Sequence, residues 1–153
     1  MKIRDIMTSA PSYCTPTSTA EMAATLMRQM DTGILPVIRD PMNLELLGVV
    51  TDRDLCLKVV AARRDPAHTW IRDCMTANPV CCLPEDDVNK AVALMSEHRV
   101  RRIPVVDREG HIRGMLSLAD IVRAKAVEEK TIAQTLTRIC EGKPFMRESA
   151  KAA

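Results

Sequence analysis

Residues 48–55, GVVTDRDL, have the pattern of an apolar strand that ends on a hydroxyl residue and continues into a helix with an acid in its first turn. Residues 114–121, GMLSLADI, repeat this pattern. Each junction brings together a hydroxyl, backbone N–H groups and a carboxylate. The N–H groups and the hydroxyl can bind a phosphate, and the carboxylate can accept hydrogen bonds from two sugar hydroxyls. The pattern therefore favours a phosphorylated ribose as ligand.

A simpler interpretation gives these residues only a structural role. Thr51 and Ser117 would cap their helices, and Asp54 and Asp120 would place a negative charge favourably near the helix start. For one copy alone, the capping interpretation is preferable. Because the arrangement occurs twice in a repeated frame, we favour a ligand site at both junctions.

The chain contains an internal duplication. The sequence IRDIMT, which starts at residue 3, returns as IRDCMT at residue 71, an offset of 68 residues. At the same offset, LPV at 35–37 returns as IPV at 103–105. Two extra residues in a turn of the first copy then reduce the offset to 66, which aligns residue 48 with residue 114. Two copies favour a pseudo-two-fold pair over a solenoid.

Periodicity and turn signals give the same order of elements in both copies. Ser18 and Glu21 form a capping-box pattern ahead of the first helix. The first copy has predicted strands at 11–15, 35–38 and 46–51 and helices at 19–30 and from 52 to before residue 65. In the second, Asp86 or Asp87 caps a helix that ends at 98, and strands follow at 103–106 and 112–117. A helical pattern then runs from 118 past 127 to about 140, either as one helix or with a break. The tail from residue 141 is polar, and Trp70 is expected to pack at the join between the copies.

These elements predict an α+β fold in which each copy is a β-α-β-β-α unit. One unit alone is too small to bury much apolar surface, so the two sheets are expected to pack against each other around a pseudo-two-fold axis. The predicted organisation is a first domain at 1–65, a second at 66–127, and a C-terminal helical extension and tail at 128–153.

Composition narrows the range of functions. A formal net charge of +2 and one residue each of Phe, Trp and Tyr argue against a nucleic-acid-binding surface with stacking aromatics. No apolar run reaches the length of a membrane span, and no signal segment is present at the start, so a soluble cytoplasmic protein without a membrane partner is expected. The three histidines, His68, His98 and His111, have no visible catalytic partner, which favours a protein that is not an enzyme.

The six cysteines and ten methionines leave alternatives open. Without a CxxC pair or a secretion signal, a disulfide framework is not expected, and most cysteines should be small buried apolar residues. A zinc or redox site at Cys81 and Cys82, with His98 or His111, remains the alternative. The methionines either fill the core or provide an adaptable surface for a partner.

Both repeated motifs resemble those of the CBS domain, named for cystathionine β-synthase. LPV and IPV match its first motif, and GVVTDRDL and GMLSLADI match its G-h-h-[ST]-x-x-D-h motif, where h is a hydrophobic residue. Two units in tandem resemble a Bateman module, and the resemblance covers residues 3–127. It is strongest to small, stand-alone, stress-associated bacterial members.

The resemblance implies a regulatory function without catalysis. Such proteins bind AMP, ADP, ATP or S-adenosylmethionine in clefts between the paired sheets. Without an attached enzyme, this chain would act in trans on a separate protein, which the sequence does not identify, or on a sister subunit in a homodimer. The alternative is a stress-associated interaction protein with degenerate ligand sites that responds to metal or redox state.

The resemblance also implies two sites, each with the acid of one copy and a base-facing strand of the other. The first, the Asp54 site, would comprise Thr51, Arg53, Asp54, Thr76, Asn78, Pro79, Val80, Arg102, Ile103 and Pro104. The second, the Asp120 site, would comprise Ser117, Asp120, Thr8, Ala10, Pro11, Tyr13, Ile34, Leu35 and Pro36. Because Arg99, Arg101 and Arg102 would serve the Asp54 site, it is the one expected to prefer a phosphate.

Overall fold

The structure, a computed structural model, describes residues 1–141 of the 153-residue chain. Its strands are β1 (Thr8–Ser9), β2 (Ile34–Ile38), β3 (Leu46–Thr51), β4 (Thr76–Ala77), β5 (Arg102–Val106) and β6 (Ile112–Ser117). Its α-helices are α1 (Ala20–Met30), α2 (Asp52–Leu55), α3 (Val88–His98), α4 (Leu118–Arg123) and α5 (Glu129–Cys140). The predicted tail, apart from its first residue, lies outside the described residues. No helix within residues 1–141 combines the length and the apolar character needed to cross a membrane.

The strands form two antiparallel three-stranded sheets, in the orders β2-β3-β4 and β1-β6-β5. The predicted α+β class is confirmed. Each sheet contains two strands from one copy and a short strand from the other. Thr76 of β4 pairs with Val49 of β3, and Thr8 of β1 pairs with Met115 of β6. The two copies therefore exchange their first strands.

Two glycines make this exchange possible. A Cβ atom at Gly48 would lie 2.6 Å from the carbonyl oxygen of Thr76, on the incoming strand β4. A Cβ atom at Gly114 would lie 2.9 Å from the carbonyl oxygen of Thr8 and 2.6 Å from the sulfur of Met7. Real Cβ atoms do not approach other atoms this closely. The glycine that opens each G-h-h-[ST] motif thus leaves room for a strand of the other copy.

The hydrophobic cores follow the exchange. Ile3, from the first copy, is fully buried in the core formed by α3, β5, β6 and α4, which we call the second half. Ile71, from the second copy, is fully buried in the core formed by α1, β2, β3 and α2, the first half. A third cluster packs the sheets together and comprises Ile34, Ile38, Val49, Ile112 and Met115. The halves are therefore joined both by exchanged segments and by this shared core.

The structure corrects several predicted boundaries. The cap of α1 is Thr19, whose hydroxyl accepts a bond from the Met22 N–H, whereas the Ser18 hydroxyl accepts one from the Thr15 N–H. The strand predicted at 11–15 lies earlier, at Thr8–Ser9, and only Cys14 of the predicted range forms a β-bridge. Asp87, rather than Asp86, caps α3.

The helices that follow the two motifs are shorter than predicted. Helix α2 has only four residues and continues as a π-helical turn, Cys56–Val60, that ends well before residue 65. The helical pattern from residue 118 forms two helices, α4 and α5, which are separated at residues 124–128. Trp70 contributes a backbone bridge to Thr19, while its side chain remains exposed.

Candidate ligand sites at the two motif junctions

Both acids belong to capping boxes. The Asp54 N–H donates to Thr51 Oγ1, and the Thr51 N–H donates to Asp54 Oδ2, each over 3.0 Å. In the second copy, the Asp120 N–H donates to Ser117 Oγ over 3.1 Å, and Asp120 Oδ2 accepts bonds from the Ser117 N–H over 2.8 Å and from its hydroxyl over 2.6 Å. Thr51 and Ser117 therefore cap their helices, as the structural interpretation predicts. It also has a consequence for binding, because one carboxylate oxygen fixes the side chain and the other is left to face outward.

The outward oxygen of each acid is paired with a cation from its own helical segment. Asp54 Oδ1 lies 3.0 Å from Lys58 Nζ, which also donates to the Cys74 carbonyl oxygen over 3.0 Å. Asp120 Oδ1 is paired with the Arg123 guanidinium. The two carboxylate side chains are only 14% and 13% exposed, against 45% for Lys58 and 71% for Arg123. Each acid is thus shielded, with a more exposed counter-ion over its free oxygen.

The sequence analysis missed these counter-ions. Lys58 follows Asp54 by four residues and Arg123 follows Asp120 by three, and residues at both spacings are neighbours on a helix surface. The signal was present in the sequence but weak, because a chain with 22 Lys and Arg residues has many acid–base pairs at these spacings by chance.

A cavity of about 340 Å³ opens beside Asp120. This volume falls within the range of roughly 300–1,000 Å³ that is usual for small-molecule pockets. The cavity brings together residues of both copies, as predicted, and six of the nine expected residues line it: Thr8, Pro11, Ile34, Leu35, Ser117 and Asp120. We call this space the Asp120 cavity.

Three residues expected at the Asp120 site do not line the cavity. Tyr13 lines a separate groove along α1, and its neighbour Ser12 takes its place in the cavity wall. Ala10 adopts a left-handed backbone conformation, with φ at 47°, as the chain turns after β1. Pro36 lies in β2 opposite Val49.

The main correction concerns Arg102, which the sequence analysis assigns to the Asp54 site. Arg102 pairs with Ser117 at the end of the β5–β6 hairpin and lines the Asp120 cavity. The expected preference of phosphate for the Asp54 site rested on this arginine together with Arg99 and Arg101. The Asp120 cavity instead contains two guanidinium groups, of Arg102 and Arg123, and two carboxylates, of Asp31 and Asp120.

Strand exchange places two of the residues expected at the Asp54 site, Thr76 and Asn78, beside β3. Thr76 is placed in the sheet beside Val49, two residues before Thr51. Asn78 has φ at 49°, and its N–H donates to the Leu47 carbonyl oxygen over 3.3 Å. The remaining expected residues are Arg53, which is exposed, Pro79 and Val80, which are half-buried, and Ile103 and Pro104, which lie in β5 opposite Leu116 and Met115.

The geometry does not favour the cysteine alternative. Burial raises the pKa of the Cys81 and Cys82 thiols to about 11, which disfavours the thiolate form that binds metals. His111 contacts Asp107, with 3.3 Å between Nδ1 and Oδ2. Within residues 1–141, no three His, Cys, Asp or Glu side chains are grouped so that they could hold a metal ion.

Comparison with known proteins identifies the repeated unit. The family model of the CBS domain matches residues 3–61 and again residues 71–127. The uncharacterized protein YlbB of Bacillus subtilis is 35% identical over 141 residues, which cover 92% of this chain and 93% of YlbB. Hypoxic response protein 1 of Mycobacterium tuberculosis is 32% identical over 137 residues, which cover 90% of this chain and 92% of that protein.

Solved structures agree with the sequence matches. The crystal structure of Hypoxic Response Protein I with two coordinated zinc ions matches with a TM-score of 0.73 at 32% identity, over 80% of this chain and 98% of that one. The crystal structure of CBSX2 in complex with AMP matches with a TM-score of 0.69 at 28% identity, over 81% of this chain and 95% of that one. The two family matches cover most of the chain and coincide with the internal duplication, so this protein belongs to the CBS domain family as a tandem pair that resembles hypoxic response protein 1.

Proposed function

We propose that the protein is a regulatory sensor that binds an adenine nucleotide in the Asp120 cavity and has no catalytic activity of its own. The observation that carries this proposal is the oriented carboxylate of Asp120 at the edge of a cavity of suitable volume. Ser117 holds one carboxylate oxygen, so the other is positioned to accept hydrogen bonds from ribose hydroxyls. The AMP complex of CBSX2 supports AMP as the first ligand to test, ahead of ADP, ATP and S-adenosylmethionine.

The regulatory part of the proposal follows from what the site offers chemically. Asp120 and Ser117 hydrogen-bond to each other within a capping box, which gives both groups a structural use at the start of α4. Binding would instead change the contacts between the halves, because residues of both copies line the cavity. Allosteric coupling is typically worth about 1–3 kcal/mol, and a partner protein in the cytoplasm would respond to that difference.

We further propose a homodimer. Several large apolar side chains on the helical segments are exposed: Met22, Met30, Leu57, Val60 and Val122. Removing them from water would stabilise an association by the hydrophobic effect. The same residues are the observation that favours the second candidate function, an interaction protein without a ligand. Light scattering at micromolar concentration tests the dimer, and a monomer there would contradict it.

Isothermal titration of AMP into the unaltered protein, Asp120→Asn and Asp54→Asn tests the sensor function. Asn keeps an oxygen that can accept the capping bond but lacks the charge. A hydrogen bond to a charged group contributes about 1.5–3 kcal/mol, so Asp120→Asn should weaken AMP binding by about ten- to a hundredfold.

Asp54→Asn separates the two sites. It should change AMP binding less than Asp120→Asn does if the Asp120 cavity is the main site. The reverse order would move the ligand to the Asp54 site. No heat with AMP, ADP, ATP or S-adenosylmethionine would contradict the sensor function and leave the interaction protein as the better account.

A further inference from the structure

The position of Arg123 carries no cation in the first copy. At the offset of 66 residues that relates the two motifs, its equivalent is Leu57, which is an exposed apolar residue. Arg123 lies one helical turn after Asp120, is paired with Asp120 Oδ1, and lines the cavity together with Arg102. The cation over the outward oxygen of Asp120 therefore comes from a position that is apolar in the first copy, where Lys58, one residue further along, contacts Asp54 instead.

The ion pair between Arg123 and Asp120 is placed so that a ligand could replace Arg123 as the partner of Asp120. The Arg123 side chain is 71% exposed, and ion pairs with a solvent-exposed partner contribute little to stability. The other oxygen of Asp120 is held by the backbone N–H and the hydroxyl of Ser117, so the carboxylate stays in place when the guanidinium leaves. Ribose hydroxyls can then take the position of the guanidinium at Oδ1.

We infer that Arg123 is an exchangeable counter-ion that sets the specificity of the Asp120 cavity: it leaves Asp120 when a ribose binds and pairs with the phosphate of the same ligand. This inference rests on the proposed function. A guanidinium offers fork-like donors that suit a phosphate, and Arg102 supplies a second set in the same cavity. An uncharged nucleoside would displace Arg123 without offering it a new partner, and the sulfonium of S-adenosylmethionine would repel it.

Net charge alone does not give this selectivity. Asp31 and Asp120 offset the charges of Arg102 and Arg123 among the lining groups, so the four sum to zero. Asp31 is the C-cap of α1 and also lines the cavity. Selectivity for phosphate therefore depends on the movement of Arg123 away from Asp120 rather than on a general positive field.

Titration of AMP and of adenosine into the unaltered protein and Arg123→Leu tests the exchange, because the two ligands differ only in the phosphate. The variant carries the residue of the first copy. It should bind AMP about five- to twentyfold more weakly, since a charge-assisted bond is lost. It should bind adenosine as well as before or up to about fivefold more tightly, since a competitor for Asp120 is removed. Arg28→Leu, at an exposed position on α1 outside the cavity wall, controls for the loss of a positive charge and should change neither affinity.

The ratio of the AMP and adenosine affinities decides the result. The inference would be overturned if this ratio were the same in Arg123→Leu as in the unaltered protein, or if it fell equally in Arg123→Leu and Arg28→Leu. Either result would leave the sensor function intact. If the unaltered protein binds neither AMP nor adenosine, the inference fails, and the sensor function fails with it when ADP, ATP and S-adenosylmethionine also give no heat. Tighter binding of S-adenosylmethionine than of AMP by the unaltered protein would also overturn the inference.

Discussion

The Asp54 site and the Asp120 site have the same acid in the same capping box but different counter-ions. Lys58 contacts both Asp54 and the Cys74 carbonyl oxygen, which lies just before the exchanged strand β4. Arg123 contacts Asp120 from a more exposed position at the end of α4. The duplicated motif thus fixes how each acid is held, while a residue outside the motif determines how readily its free oxygen becomes available. Two sites with matching motifs need not bind the same ligand or bind it equally well.

The exchanged segments, by contrast, are alike in the two halves, and truncation of their buried isoleucines should have the largest effect. Ile3→Ala and Ile71→Ala should each lower the free energy of unfolding by about 2–5 kcal/mol, because each leaves a cavity in a closed core. Hydrogen exchange should show Ile3→Ala loosening α3, β5 and β6, and Ile71→Ala loosening α1, β2 and β3. Each substitution would therefore loosen the half whose other core residues come from the opposite copy.

Met42→Ala is the control for this pair, because Met42 is 96% exposed and its truncation should cost less than about 0.5 kcal/mol. Loss of protection around α1 in Ile3→Ala would contradict the strand exchange.

Substitution of the glycines at the start of the two motifs should have a smaller effect on stability, and it compares one contact in each half. Gly48→Ala and Gly114→Ala should each cost about 1–3 kcal/mol of unfolding free energy through overpacking. The cost should be larger at Gly48, where the new Cβ atom meets a backbone oxygen at 2.6 Å. At Gly114 the atom at 2.6 Å is the sulfur of the flexible Met7 side chain, and the backbone oxygen lies at 2.9 Å. Urea unfolding of both variants measures the difference.

Gly33→Ala provides a matched control. Its Cβ atom would also meet an atom at 2.6 Å, but that atom is a carboxylate oxygen of Asp52, which can rotate away. A greater loss of stability at Gly33 than at Gly48 would show that backbone contact between the exchanged strands is not what limits residue size here.

The order of helices and strands could be predicted from the sequence because it depends on local patterns. Periodicity located α1, α3 and both hairpins, and the offset repeat related them to each other. The exchange of β1 and β4 could not be derived in the same way, since a duplicated sequence contains no signal for which copy a segment pairs with. The family resemblance implied only that each site takes a base-facing strand from the other copy. Gly48 and Gly114 give the physical reason for the exchange within the sheets once the incoming strands are seen.

The candidate site was harder to predict than the fold. Ile34 and Arg102 occupy equivalent positions in the two copies, so the sequence alone cannot determine which cavity the Arg102 side chain enters. In the structure, Arg102 lines the Asp120 cavity. Ser12 and Tyr13 are adjacent in an irregular segment. Which of the two lines the cavity depends on backbone angles that cannot be predicted from sequence periodicity. The predicted residues were therefore most accurate where a strand or a capping box fixed them.

The counter-ion of the Asp54 site gives the smallest expected effect and the most direct test of the difference between the sites. Lys58→Ala places at position 58 the residue found at its equivalent, Ala124. Removing an exposed ion pair worth about 0.2–1 kcal/mol should free Asp54 Oδ1 and strengthen AMP binding at the Asp54 site by at most about fivefold. In a titration of Asp120→Asn, where the other site is weakened, this would appear as tighter binding at the remaining site.

Lys90→Ala is the matched control, because Lys90 forms an ion pair of the same i,i+4 type with Asp86 over 2.9 Å, with similar exposure of both partners. It should leave AMP binding unchanged in the same Asp120→Asn background. Weaker binding in Lys58→Ala would mean that Lys58 contacts the ligand rather than competing with it. The two sites would then differ in which cation contacts the phosphate, and not in how readily their acid loses its counter-ion. Lys58 at the Asp54 site would have the role that we assign to Arg123 at the Asp120 site.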